Sequence, residues 1–83
     1  MIETTGETIT LRAARRRKLY TLQELADAAG VTIKTVTAIE AGRSRPRLST
    51  VRKLAAALDV DPLQVAEFVA AIERGRFAER PAQ

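Results

Sequence analysis

The stretch TLQELADAAGVTIKTVTAIEAG, residues 21–42, decides how this chain folds. Thr21-Leu22-Gln23-Glu24 is a capping box, in which the threonine hydroxyl accepts from the amide three residues on and the glutamate reaches back. The helix it opens runs from Leu22 to Ala29 and places Leu22, Leu25, Ala26 and Ala29 on one face. Gly30 follows at the position where a left-handed residue stops a helix. Val31 fills the corner, and Thr32 caps a further helix from Ile33 to Ala41, ended by Gly42, with Val36 and Ile39 turned to the core. Two short helices joined by a tight glycine turn make a helix-turn-helix. Its first helix braces the second at a steep angle, which requires small residues at the crossing (Ala26, Ala29), a sharp turn and an apolar pin. The second helix is then free to present its N-terminal side chains to a DNA major groove.

The flanks are helical as well. Upstream, Thr10 caps a helix from Leu11 to about Lys18, with Leu11, Ala14 and the Lys18 stem facing inward and Leu19 closing its end. Thr8–Thr10 is at most a short extended edge. Downstream of a basic loop, Arg43-Ser44-Arg45-Pro46-Arg47, a helix from Leu48 to Leu58 aligns Leu48, Val51, Leu54, Ala55 and Leu58. Asp61-Pro62 is a cap followed by a first-turn proline and predicts a fifth helix over 62–74, stopped by Gly75. On that helix Leu63, Ala66 and Ala70 form a stripe that closes the domain. Val65, Phe68, Val69 and Ile72 form a second stripe, read as an exposed surface through which two copies pair. The expectation is an all-α, compact five-helix domain over 11–74, with an N-terminal arm (1–10) and a mobile tail (75–83).

Composition narrows the function. With 83 residues and no Cys, His or Trp, the chain has no means of building a disulfide scaffold, a thiol redox site, a Cys/His metal site or a nucleophile–histidine pair. Neither a metal nor any other cofactor is expected, and a domain this small has little room for a substrate pocket, so an enzyme is not expected. The aromatic share of 4% makes the core aliphatic. No apolar run approaches the length of a membrane span, and Met1–Glu7 lacks the features of a secretory signal, so the expected compartment is the cytoplasm. The formal charge of +4 is unevenly placed. Residues 12–53 hold eleven basic and three acidic side chains, a balance of +8, and the rest of the chain carries −4. Such polarity suits a polyanionic partner for the middle of the chain.

Arg15, Thr21–Ala26, Gly30-Val31-Thr32, Val36, Ile39-Glu40, Gly42, Pro46 and Leu54–Leu58 together resemble the lambda-repressor-like, Cro/Xre-type helix-turn-helix family, over about Leu11 to Phe68. The resemblance implies a five-helix domain that binds operator DNA as a two-fold dimer. It places Ile33, Lys34, Thr37 and Ala38 where the family reads bases. It places Gln23, Thr32, Thr35, Arg43, Ser44, Arg45 and Arg47 at the phosphates, or for Arg47 near the minor groove. Arg15 and Glu40 match a structural ion pair tying the first helix to the third. One departure matters: many relatives carry Gln directly after the cap, where this chain has Leu22, so Leu22 is expected to pack and the DNA role of Gln23 is put in question.

Each residue also has a plainer reading. Lys34 can donate to guanine O6 and N7 or to a phosphate. Ile33 either packs against its own turn or meets a thymine methyl, and Ala38 needs no explanation beyond helix propensity. Thr37 divides between DNA contact and idle surface, and Arg16, Arg17 and Lys18 read as solvated surface. A recognition helix so poor in Arg, Asn and Gln implies modest base readout, with affinity leaning on phosphates and DNA shape. The expected function is a sequence-specific transcriptional regulator, a small homodimeric repressor on double-stranded DNA. Alternatives are an antitoxin or restriction–modification controller, with a toxin or polymerase subunit as protein partner, and an interaction adaptor that does not bind specific DNA.

Overall fold

The computed structural model describes residues 8–78, with side chains from Thr8 to Arg74. Five helices occur in the order α1 (Leu11–Arg17), α2 (Leu22–Ala29), α3 (Ile33–Glu40), α4 (Leu48–Leu58) and α5 (Ala66–Ala78), with a 3-10 turn (Pro62–Gln64) before α5. Among the described residues there is no β-strand, and the fold is the all-α, five-helix one expected. Caps set the starts. Thr10, Thr21 and Thr32 each accept from the amide three residues ahead, at α1, α2 and α3. The Thr21 cap is completed by Glu24 Oε1, which accepts from the Thr21 amide at 2.8 Å. Each such cap stabilises its helix by about 1 kcal/mol.

The ends of α1 to α4 share one device. Leu19, Gly30, Gly42 and Asp59 all adopt positive φ (61°, 73°, 77° and 57°). After each, the next amide turns back to a carbonyl in the last turn: Tyr20 to Arg15, Val31 to Ala26, Arg43 to Ala38, and Val60 to Ala55, at 2.9–3.2 Å. These are Schellman endings, which satisfy carbonyls that a helix terminus would otherwise leave bare. Gly30 and Gly42 suit them because glycine enters the left-handed region without steric cost. Leu19 does not, and its side chain, expected to close α1, instead points into solvent at 86% exposure. The Lys18 stem, also expected inside, is exposed, and Tyr20 packs against the core in its place.

The core gathers Leu11 and Ala14 from α1, Leu25, Ala26 and Ala29 from α2, Val36 and Ile39 from α3, and Val51, Leu54, Ala55 and Leu58 from α4. It is aliphatic except at Phe68, the largest fully buried side chain. Leu22, as expected, packs on its edge.

The C-terminal segment corrects the sequence reading. In place of one helix over 62–74, Pro62–Gln64 form the 3-10 turn and Val65 is extended (φ −109°, ψ 120°). Val65 forms an isolated parallel bridge with Ile9, in which the Ile9 amide donates to Gln64 O (2.8 Å) and the Ala66 amide to Ile9 O (2.9 Å). The extended edge foreseen at Thr8–Thr10 is therefore used to clamp the start of α5. Val65 and Phe68, read as an exposed interface, are fully buried within the chain, together with Ala71. Ala66 and Ala70, read as the inward stripe, are exposed, and so is Leu63 at 60%. Val69 and Ile72 are half-buried, Ile72 against the core. The helix also passes through Gly75 to Ala78; the remainder of the expected tail, 79–83, and residues 1–7 of the expected arm lie outside the described residues.

Candidate nucleic-acid interface

The α2–α3 corner is built as a rigid bracket. Gly30, at φ 73°, opens the three-residue turn between α2 and α3, and Ala26 and Ala29 are buried on the inner face of α2. Val36 and Ile39 anchor α3 from beneath, which leaves its N-terminal end outward. At its N-terminal end Thr32, Ile33 and Lys34 are exposed, with Ile33 at 41%. Further along, Thr35, Thr37 and Ala38 are half-buried.

Several hydroxyls of this helix are already engaged. Thr32 Oγ1 accepts from the Thr35 amide (3.1 Å) and lies 2.9 Å from Thr35 Oγ1. Thr37 Oγ1 donates to the Ile33 carbonyl one turn back (2.8 Å). Gln23, whose DNA role was in question, donates its amide to Asp27 Oδ1 (2.9 Å), along α2. Lys34 is thus the one cationic side chain on α3 itself.

The other end of α3 carries the basic loop. Arg43, Ser44, Arg45 and Arg47 are all exposed, Pro46 is half-buried, and Arg47 stands at the N-terminal boundary of α4 without a side-chain cap bond. Among the described residues, Lys34, Arg43, Arg45 and Arg47 form no ion pair. Behind the loop, Ile39, Gly42, Pro46, Glu67 and Ala70 border a cleft of about 120 Å³, well below the volume a drug-sized ligand fills.

What orients α3 is an ion pair at its last turn. Arg15 Nε donates to Glu40 Oε2 at 2.7 Å, its Nη2 to Glu40 Oε1 at 3.2 Å, and its Nη1 to the Tyr20 carbonyl at 2.9 Å. The pair expected between these positions is therefore a two-pronged clamp, with the Glu40 side chain 4% exposed and that of Arg15 12% exposed. The hydrogen bond to Glu40 holds the Arg15 guanidinium above its ordinary pKa, against the lowering effect of burial, so Arg15 is always charged. Two partners were not foreseen: Arg12, 3.5 Å from Glu40, and the Tyr20 carbonyl. A third contact, from the Leu11 amide to Glu67 Oε1 (2.8 Å), caps α1 from α5. Both the Tyr20 and Glu67 contacts join distant segments or the backbone of a strained turn, which no local sequence pattern signals.

No helix among the described residues is long and apolar enough to cross a membrane, and no group of His, Cys, Asp or Glu among them is arranged to hold a metal ion. No curated protein matches the chain. A family model described as helix-turn-helix matches residues 11–65, from the first residue of α1 to the bridge residue before α5. That match covers well over half of the chain and all of the bracket, its clamp and the basic loop. The chain belongs to the lambda-repressor-like, Cro-type helix-turn-helix family, and it is a DNA-binding regulator of that type.

Proposed function

We propose that the protein is a sequence-specific transcriptional repressor acting in the cytoplasm, a homodimer that reads a palindromic operator through α3. The observation that carries this reading is the placement of cations around one short helix. Lys34 stands exposed at its N-terminal end, and Arg43, Arg45 and Arg47 stand exposed just past its C-terminal end. Eight helical residues span about 12 Å, so both ends meet one stretch of duplex.

In this reading Lys34 donates to a guanine edge, while Ile33, Thr37 and Ala38 lie against neighbouring bases. Arg43, Ser44, Arg45 and Arg47 take phosphates, with Arg47 at the minor-groove side, and Thr32 and Thr35 approach the backbone at the start of α3. Gln23 has one amide N–H held by Asp27 and would meet a phosphate through the other. Pairing of two copies rests on the apolar surface left open by α5, at Val69 and Ile72, and by Leu63 of the 3-10 turn before it, with Val65 and Phe68 withdrawn into the core. Two recognition helices would then sit about 34–36 Å apart on one face of the DNA.

Selection of bound duplexes from a random pool at near-physiological salt, followed by sedimentation with the enriched sequence, tests this. An enriched palindrome carrying two chains supports the dimeric repressor. Binding without enrichment that disappears as salt rises would contradict sequence-specific readout.

A further inference from the structure

Ile33 is out of place for a helix face meant only for water and phosphates. It is one of three large hydrophobic side chains that stand well exposed among the described residues, and the one of them on α3. It does not belong to the half-buried set packed against the core. The polar groups around it are turned inward to the helix: Thr37 Oγ1 donates to the Ile33 carbonyl, and the Thr32 and Thr35 hydroxyls pair with each other. What the N-terminal half of α3 offers outward is thus an aliphatic end at Ile33 and a single charged donor beside it at Lys34. In a major groove the apolar feature that fits the first is the methyl group on pyrimidine C5, and the acceptors that fit the second are guanine O6 and N7.

Resting on the DNA-binding reading above, we infer that Ile33 is a specificity residue for a 5-methylpyrimidine next to the guanine met by Lys34. Each half-site would then contain a pyrimidine–guanine step whose C5 methyl is recognised. Thymine supplies that methyl unmodified, and 5-methylcytosine supplies it at the same carbon, so binding would also respond to cytosine methylation at this step. Ile33 would act by apolar contact alone, displacing water from the methyl, and no covalent chemistry is involved.

The test uses the full chain and the duplex it selects from a random pool. Each thymine of a half-site is replaced in turn by deoxyuridine, which removes only the methyl. One position per half-site should lose about fourfold in affinity, and about fifteenfold when both half-sites are changed. Ile33→Ala should bring the thymine-to-uracil ratio at that position to one, and Ile33→Val should keep most of it. Equal melting temperatures for the three proteins show that the fold is kept. At the same position, cytosine should bind weakly. Recovery with 5-methylcytosine makes the methyl itself the recognised group, whereas recovery with thymine alone overturns the response to cytosine methylation. A selected sequence in which no thymine methyl matters, or an Ile33→Ala protein that discriminates as the unmodified one does, overturns this inference and leaves the regulator reading standing. A pool that yields no preferred sequence overturns both.

Discussion

Removing either side of the Arg15–Glu40 clamp should cost far more than a surface ion pair is worth. Arg15 makes three donations, two to Glu40 and one to the Tyr20 carbonyl, and the Glu40 side chain is only 4% exposed. Truncation of one partner of a buried pair costs about 3–5 kcal/mol, because the other is left charged and dry. Arg12, 3.5 Å from Glu40 and 59% exposed, softens the loss of Arg15 by offering a wetter substitute. We therefore expect about 3 kcal/mol for Arg15→Ala, at the lower end of that range. A chain of 83 residues has a total stability of roughly 4–12 kcal/mol, so this is a large share of it. Arg15→Lys should recover little, since an ammonium cannot reproduce the planar fork that spans both carboxylate oxygens and a carbonyl. Urea unfolding followed by far-UV circular dichroism suits a chain without tryptophan. Arg15→Ala, Glu40→Ala and the double variant then close a cycle, with an expected coupling of about 1.5–3 kcal/mol. Single losses under about 1 kcal/mol, the value of an exposed pair, would refute the reasoning. Because the clamp fixes the last turn of α3 to α1, DNA affinity should fall in the same variants even at temperatures where they remain folded.

Four other outcomes follow from the geometry. Arg43→Ala should weaken binding to all sequences alike and lower the slope of log K against log salt by about one, read from titrations at several salt concentrations. Lys34→Ala should cost about 1–3 kcal/mol on the selected site and relax preference at one base pair, which a repeat selection with the variant would show. Leu19→Gly should stabilise the chain by about 1 kcal/mol, or roughly 4–8 °C in Tm, since it relieves a left-handed leucine whose side chain contacts little; an unchanged or lower Tm would contradict this. Phe68→Ala should cost about 3–5 kcal/mol independently of protein concentration, whereas a loss that grows on dilution would place Phe68 in an interface instead of the core.

Local chemistry made most of the helical frame legible. The threonine caps and the glycines at positions 30 and 42 marked the starts and ends of α2 and α3 to within a residue, because each acts through backbone groups nearby. The C-terminal stripes were misassigned for a reason that is not local. Counting helical turns from Pro62 puts Leu63, Ala66 and Ala70 on the core side. Val65 is held extended by its bridge to Ile9, so α5 begins only at Ala66 and the phase of the helix is reset. Counted from Val65, the buried set is Val65, Phe68 and Ala71, which is the observed core face. The pairing that causes this joins residues 56 apart, and nothing in either segment announces it. Leu19 was equally hidden, since leucine does not signal a left-handed turn. Arg15 and Glu40 lie 25 residues apart and were paired only through the family resemblance, while the Tyr20 carbonyl that completes the clamp needed the structure. Exposed Lys34 and the arginine loop were legible as chemistry, through charge and position after a cap.

The central claim is that α3 and the loop after it form the DNA-binding face. Amide chemical-shift mapping of the labelled chain, titrated with the selected duplex and with a scrambled one, tests it residue by residue. The account predicts that the selected duplex perturbs Thr32–Ala38 and Arg43–Arg47 most strongly, with the N-terminal turn of α2 next, and that the scrambled duplex moves mainly Arg43–Arg47. Perturbations centred on the exposed side of α5, or identical patterns for both duplexes, would contradict it.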